Sequence, residues 1–379
     1  MLSNGLRDRA WVEVDTGALR ANYRRLHEAV GGNVGMIPMI KADGYGLGAE
    51  WVARSLESFD PVAFGVAAAH EGRALRAAGV ERPIIVFTPL THEALETAAQ
   101  HRLIPALSDV SGLERWLAIN PEGPFHVEID TGMGRAGFDW RETAVWGERL
   151  RAAVADGARC AGVFTHFHGA DSADPAPAAA QWQRFRDALA QLPVSTENLL
   201  VHACNSAAAL RWPEYAADAI RPGIFLYGGH PASEVSGAAD LRPEPVVSVR
   251  ARVVLVRDVP PGSTVGYGAT HAARGWERWA TLPIGYGDGW PRALGNAGQA
   301  LIRGRRVRIV GRISMDMTVV DVTGVPEVTN GDVATFIGSD GEEDILVDDV
   351  AEQVGTISYE ILTGLTSRLP RIENDAGLG

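Results

Sequence analysis

Residues 36–48 read MIPMIKADGYGLG: an apolar run that ends in a lysine, followed at once by glycine-rich chain. Apolar at successive positions and bounded by turn residues, the run reads as a strand buried on both faces. Seven further runs share its character: PVAFGVA, RPIIVFT, RLIPALS, GPFHVEID, ARCAGVFTHF, ENLLVHAC and ADAIRPGIF. Segments of helical period separate them. In PAPAAAQWQRFRDALAQLP, for instance, Trp182, Phe185, Leu189 and Leu192 share one face and prolines mark both ends. Eight β-α units with doubly apolar strands predict an α/β fold, a parallel (β/α)8 TIM barrel ending near residue 240. A short strand and helix, WVEVDTGALRANYRRLHEAV, precede the first barrel strand and are counted with it, so the first domain is drawn over residues 1–240.

From PEPVVSVRARVVLVRDV onward the pattern changes to long alternating runs broken by Gly, Pro and Asp signals. Only DDVAEQVG and SYEILTGL look helical there, which predicts a mostly antiparallel β-domain over residues 241–379. The arginine-rich LIRGRRVRIVGR interleaves its charges with apolar residues and reads as exposed strand faces.

With 379 residues and a net charge of −12, the chain can bury a large core and is a poor match for nucleic acid or an anionic membrane. Its two cysteines, Cys160 and Cys204, form neither a disulfide framework nor a metal cluster, so no metal is expected. No uncharged apolar run reaches the roughly 18 residues of a membrane span, and MLSNGLRDRAWVEVD lacks a signal-peptide core. The expected location is cytoplasmic.

Catalytic groups of such barrels sit at the carboxyl ends of the strands. Lys41 closes the first strand, Arg135 follows the fifth, His166 closes the sixth, Ser206 follows the seventh, and Arg221 with Gly223 closes the eighth. Apolar shielding favours a neutral, nucleophilic lysine. The loops after strands seven and eight commonly bind phosphate, a role that fits Ser206, Gly223 and Ile224. An amine opposite a phosphate cradle fits pyridoxal 5′-phosphate held on Lys41; a sugar-phosphate enzyme with a Schiff-base lysine satisfies the same geometry.

The strings IKADGYGLG, DTGMGRAGF, THF, HACNSAA, RPGIFLYG, VGYGATHAA, LPIGYGDGWPR, GRISMDM and SYEILTGL, in this order, resemble bacterial alanine racemase, a fold-type III pyridoxal-phosphate enzyme, from about residue 10 to about 370. The resemblance implies racemisation of L- and D-alanine by two bases, supplying D-alanine for peptidoglycan. Lys41 would carry the cofactor and serve the D-amino-acid side; Tyr267 would serve the L side, reaching in from the second subunit of a homodimer with shared active sites. Removing a proton from one face and returning it to the other needs a group on each. A phenol of pKa ~10 is a poor base at neutral pH, so cationic neighbours are expected to lower it, with His166 and Arg221 as candidates. Arg221 would face the pyridine nitrogen as a permanent donor, leaving a weaker electron sink that limits transamination. His166 would pack on the ring and His202 would buttress Arg221. Tyr45 and Tyr359 match phosphate-binding tyrosines. Arg135 matches the arginine that contacts the cofactor's phenolic oxygen and the substrate carboxylate, and the backbone N–H of the partner's Met315 would complete the carboxylate clamp. Asp171, Tyr286, Arg292, Arg312 and Ile357 match an entry corridor.

Three positions depart from the family pattern. Glu128 stands where many members carry a carbamylated lysine, and it would orient Arg135 through parallel hydrogen bonds. Ser358 replaces a common proline, and Gly266 loosens the backbone before Tyr267. Other readings are a racemase of serine or of broader range, a non-catalytic pyridoxal-phosphate carrier, and a decarboxylase of the same fold class.

Overall fold

The computed structural model describes residues 5–232 and 240–374, so the outer ends of both sequence-drawn domains and the segment just before their boundary lie outside the described residues. Eight parallel strands form the first layer: Gly35–Met36, Phe64–Val66, Ile84–Val86, Ile104–Leu107, Phe125–Asp130, Cys160–Phe164, Leu200–Asn205 and Ala219–Arg221. Each of the eight apolar runs contributes one of them. They neighbour one another in chain order, and the first joins the last through the pairs Gly35 to Ala219 and Met36 to Ile220. Its continuation bridges to the second strand, where Ile40 N–H donates to the Gly65 carbonyl at 2.8 Å and Gly65 N–H to Pro38 at 2.9 Å, closing the barrel.

Helices follow the first seven strands, and the eighth is followed by the short turn Ile224–Tyr227. The flank beside that turn is covered from the chain's beginning. Helix Thr16–Ala29 packs against Ala49–Leu56, Ser206–Arg211 and that turn, with Leu19, Tyr23 and Leu26 buried. Burial of such a side chain contributes roughly 1.5–3 kcal/mol. On helix Ala176–Gln191, Phe185 is fully buried together with Gln181 and Ala188, while Trp182 and Leu189 are only half-buried.

The second sheet is antiparallel apart from one edge, and its order corrects the sequence-drawn first domain. Strand Ala10–Asp15 does not belong with the barrel. It pairs antiparallel with Val247–Arg252 and parallel with Arg371–Asn374, so both ends of the described chain are stitched into the β-domain. An alternating strand shows which face it buries but not which edge it will meet. The two helices expected in this domain are Val347–Val354 and Ser358–Gly364. In hairpin Gln299–Ile302 with Arg305–Ile309, Arg305, Arg306 and Arg308 are exposed while Val307 and Ile309 are buried. A small hairpin, Thr264–Val265 with His271–Ala272, carries Tyr267 at its tip.

Candidate active site

The barrel mouth begins with an unusual turn. After Lys41, residues Ala42, Asp43, Gly44 and Tyr45 all have positive φ, 51 to 63°, making one left-handed turn. Three are not glycine, at a cost of roughly 1–2 kcal/mol each. Tertiary bonds hold them there. The Glu71 carboxylate accepts from the N–H of Ala42 at 2.6 Å with one oxygen, and from Ala67 and Ala68 at 2.8 and 3.0 Å with the other. Arg371, from the β-domain, donates to the Gly46 carbonyl at 2.9 Å. The turn presents Lys41 to a cavity of about 140 Å³ lined also by Tyr45, Glu128, Arg135, His166, Ser206, Arg221, Gly223 and Tyr359. Burial, then the Arg135 charge, lowers the Lys41 pKa, with Glu71 opposing.

Arg221 lies on the cavity floor, 4% exposed. One Nη1 hydrogen goes to His202 Nδ1 at 2.7 Å, and Nη2 donates to the carbonyls of Thr165 at 2.6 Å and Ala203 at 2.9 Å. Nε and the second Nη1 hydrogen have no acceptor among the described residues. Phe87 and Phe164 pack on the guanidinium, 5.7 and 5.0 Å from their ring centres. Burial lowers its pKa to about 10, so it stays cationic at neutral pH. The same is not true of His166. Burial, with Arg221, Arg135 and Lys41 around it, drives its pKa down to about 3. That environment favours the neutral imidazole and leaves Arg221 as the cation of the pair named beside a phenol.

On the opposite wall, Gly223 N–H donates to Ser206 Oγ at 2.8 Å, and Ile224 N–H has no acceptor among the described residues. The Tyr45 ring stacks on Tyr227 at 4.5 Å and tilts against Tyr359 at 5.9 Å. Its hydroxyl lies so close to Gly223 that a Cβ there would be 2.2 Å from the oxygen. Hydroxyls and amides thus converge without an intervening side chain, a cradle that fits a phosphate. With Lys41 at one end and the unused donors of Arg221 beneath, these residues fit pyridoxal 5′-phosphate.

Glu128 points into the cavity and hydrogen-bonds Ser108 at 3.3 Å. Burial raises its pKa, while the Arg221 charge, the Ser108 bond and the Arg135 charge lower it. Arg135 is exposed, on a loop shaped by Asp130, whose carboxylate accepts from the N–H groups of Gly132 and Gly134. The parallel hydrogen bonds expected between Glu128 and Arg135 do not form; the two share the cavity as opposite charges.

The remaining predicted residues stand away from this cavity. Tyr267 is 70% and Met315 51% exposed, and neither lines it. The Met315 N–H has no acceptor among the described residues. Gly266 is not a loose joint, contrary to the sequence reading. Its φ is +73° and a Cβ would sit 3.0 Å from the Arg312 carbonyl oxygen, so close packing demands glycine there. Arg312 also donates to the Tyr267 carbonyl at 3.4 Å. Tyr286 and Arg292 are exposed on the β-domain. The Asp171 charge reaches Tyr359, whose pKa burial raises to about 12, and Ile357 precedes the helix that carries Tyr359. Ser358 bonds Asp348 at the start of that helix.

Sequence reasoning missed Met39, Phe87, Phe164 and Asn205 in the lining, as well as Glu71 beneath the lysine turn. Asn205 was detectable, because it caps the helix that begins at Ser206. Gln181 was hidden as one more polar residue on a helix; buried, it ties Thr131 to the His166 carbonyl, joining the loops of Arg135 and His166.

Family models described as alanine racemase, N-terminal domain, and alanine racemase, C-terminal domain, match residues 14–231 and 246–373. The alanine racemase of Halothermothrix orenii is 36% identical over 95% of this chain and 96% of its own. A solved alanine racemase from Bartonella henselae with covalently bound pyridoxal phosphate is 32% identical, with a TM-score of 0.86 over 97% of this chain and 99% of that one. One from Bacillus anthracis with bound L-Ala-P is also 32% identical, with a TM-score of 0.89 over 98% and 96%. Likeness of this extent, across both domains and around a barrel mouth built on Lys41 and Arg221, places the chain in the alanine racemase family.

Proposed function

We propose that this protein interconverts L- and D-alanine with pyridoxal 5′-phosphate, in the cytoplasm, and so feeds peptidoglycan synthesis. The observation that carries the reading is the joint placement of Lys41, the Arg221 donors and the Ser206–Gly223–Tyr45 cradle around one 140 Å³ cavity. When bound, the cofactor supplies an electron-withdrawing ring that acidifies the substrate's Cα–H. Lys41 would hold it covalently until the substrate's own amine displaces the lysine; the freed amine, its pKa lowered by burial, would then take and return a proton at Cα from one face. Tyr45, Ser206, Gly223, Ile224 and Tyr359 anchor the phosphate. Arg221 donates to the ring nitrogen and cannot give up its own proton, which leaves that nitrogen unprotonated. His166 packs on the ring as a neutral imidazole.

Arg135 holds the substrate carboxylate, with Glu128 balancing the two arginine charges. Tyr267 is exposed, and the Met315 N–H has no acceptor among the described residues, so both are available to a second copy of the chain. We therefore assign Tyr267 to the opposite face of Cα in the site of a second copy, with Met315 completing the carboxylate contacts there. Asp171, Ile357 and, from the partner, Tyr286, Arg292 and Arg312 line the way in. Borohydride reduction of the cofactor-loaded protein followed by peptide mapping tests the central assignment: the label belongs on Lys41, and a label elsewhere or nowhere refutes it. A chiral assay over a panel of L-amino acids tests the substrate, since faster turnover of serine than of alanine would replace the alanine assignment.

A further inference from the structure

Behind Arg221 the hydrogen bonds continue away from the cavity. His202 Nε2 meets His126 Nδ1 at 2.8 Å, and both rings are buried, at 0% and 2% exposure. The direction of each bond follows from the first member. A guanidinium has five donors and no acceptor, so His202 must offer the Nδ1 lone pair to Arg221 and carry its proton on Nε2. That proton points at His126, which must therefore accept on Nδ1 and carry its own proton on Nε2. His202 cannot turn away, because it stacks on Phe164 at 4.9 Å and 9° and meets Phe87 edge-on at 6.1 Å. His126 also lines an open cavity of about 490 Å³ among the first residues of the barrel strands, where water can accept its remaining N–H. Both imidazoles are held neutral by burial and by the Arg221 charge.

We propose that His126, which no contact joins to the cavity, is a positioning residue for the cofactor-facing guanidinium: its Nδ1 lone pair fixes the His202 proton on Nε2 and so maintains an acceptor against Arg221. The inference rests on the proposed role of Arg221 toward the cofactor's ring nitrogen. Without an acceptor at position 126, the His202 Nε2–H is orphaned in the core. Moving that proton to Nδ1 would relieve it only by setting N–H against N–H at Arg221. Either outcome shifts the guanidinium and the charge that the ring nitrogen feels.

The test uses cofactor-loaded protein labelled with 15N-histidine, at pH 7. Both His126 and His202 are expected to show a protonated Nε2 and a bare Nδ1, and a proton on Nδ1 of either ring overturns the proposal. In a second arm, H126L removes the acceptor while H126N offers a carboxamide oxygen in the place of Nδ1. H126L is expected to bind the cofactor with a shifted visible absorption band and to lose at least about tenfold in kcat at little change in KM; H126N is expected to restore the band and most of kcat. Equal behaviour of the two variants overturns the proposal. Should H126L not fold, the tautomers of the unmutated protein still decide. If the unmutated protein takes up no pyridoxal 5′-phosphate, the reading of the site fails instead, and the tautomers measured on unloaded protein judge the inference separately.

Discussion

Replacing Gly223 by alanine tests the phosphate cradle with a single methyl group. The backbone there has φ −122° and ψ −100°, and the effect on the cradle is worked from the contact that a methyl group makes. The new Cβ would lie 2.2 Å from Tyr45 Oη, about 1.2 Å inside the 3.4 Å at which ordinary contact begins. Tyr45 cannot retreat freely, since it is stacked on Tyr227, whose own hydroxyl donates to the Met39 carbonyl at 2.8 Å. The hydroxyl must leave the cradle, and its charge-assisted bond to a phosphate, worth about 1.5–3 kcal/mol, goes with it. Titration of the unloaded variant with pyridoxal 5′-phosphate, followed by absorbance, should show a Kd raised roughly 10- to 150-fold. Tyr45→Phe should weaken binding by a similar factor, and G223A should then add less than it does alone, because the nearest atom it strikes is gone and only Cζ, 3.0 Å away, remains in tight contact. A Kd for G223A within threefold of the unmutated protein, or costs that simply add in the double variant, would refute the reasoning.

Four further outcomes are expected. Tyr267→Phe should lower racemisation by roughly 100- to 10,000-fold while the protein keeps its yellow cofactor; a fully active variant removes Tyr267 from the chemistry. Glu71→Ala strips three N–H groups of their acceptor and releases the left-handed turn, so unfolding in urea should show a loss of about 2–4 kcal/mol, and an unchanged midpoint would mean that the turn is held by other contacts. Glu128→Gln should change KM for alanine or kcat through the uncompensated charges of Arg135 and Arg221, and kinetics identical to those of the unmutated enzyme would rule out that role. The pKa values of His126 and His166 fall to about 3 and that of His202 falls well below its usual value, so these rings are neutral in the fold but protonated in the unfolded chain below about pH 6.5. The unfolded state then binds more protons, and stability should fall on acidification from about pH 6.5 toward 3, by up to about 4 kcal/mol per pH unit from the three rings. A flat unfolding free energy between pH 7 and 5 contradicts this.

What the sequence determined by itself was local. Eight runs without a polar face could only be strands covered on both sides, which requires a parallel sheet under helices, and a lysine at the end of the first run falls at the barrel mouth by that topology alone. The strings around Lys41, Arg221 and Tyr267 carried the family with them. Tertiary structure decided everything that depends on a distant partner. Ala10–Asp15 alternates like any edge strand, and only pairing with Val247–Arg252 and Arg371–Asn374 places it in the second sheet. Helix Thr16–Ala29 covers the flank beside the turn that follows the eighth strand. The left-handed turn after Lys41 runs against the preferences of Ala42 and Tyr45, and exists because Glu71 and Arg371 hold it. His126 and Glu128 alternate on one strand and both face inward, yet one became the end of a histidine chain and the other a wall of the cavity. Periodicity reports burial and dihedral preference, which are properties of a few neighbouring residues; partners, tautomers and strained turns are chosen by contacts between residues far apart in the chain.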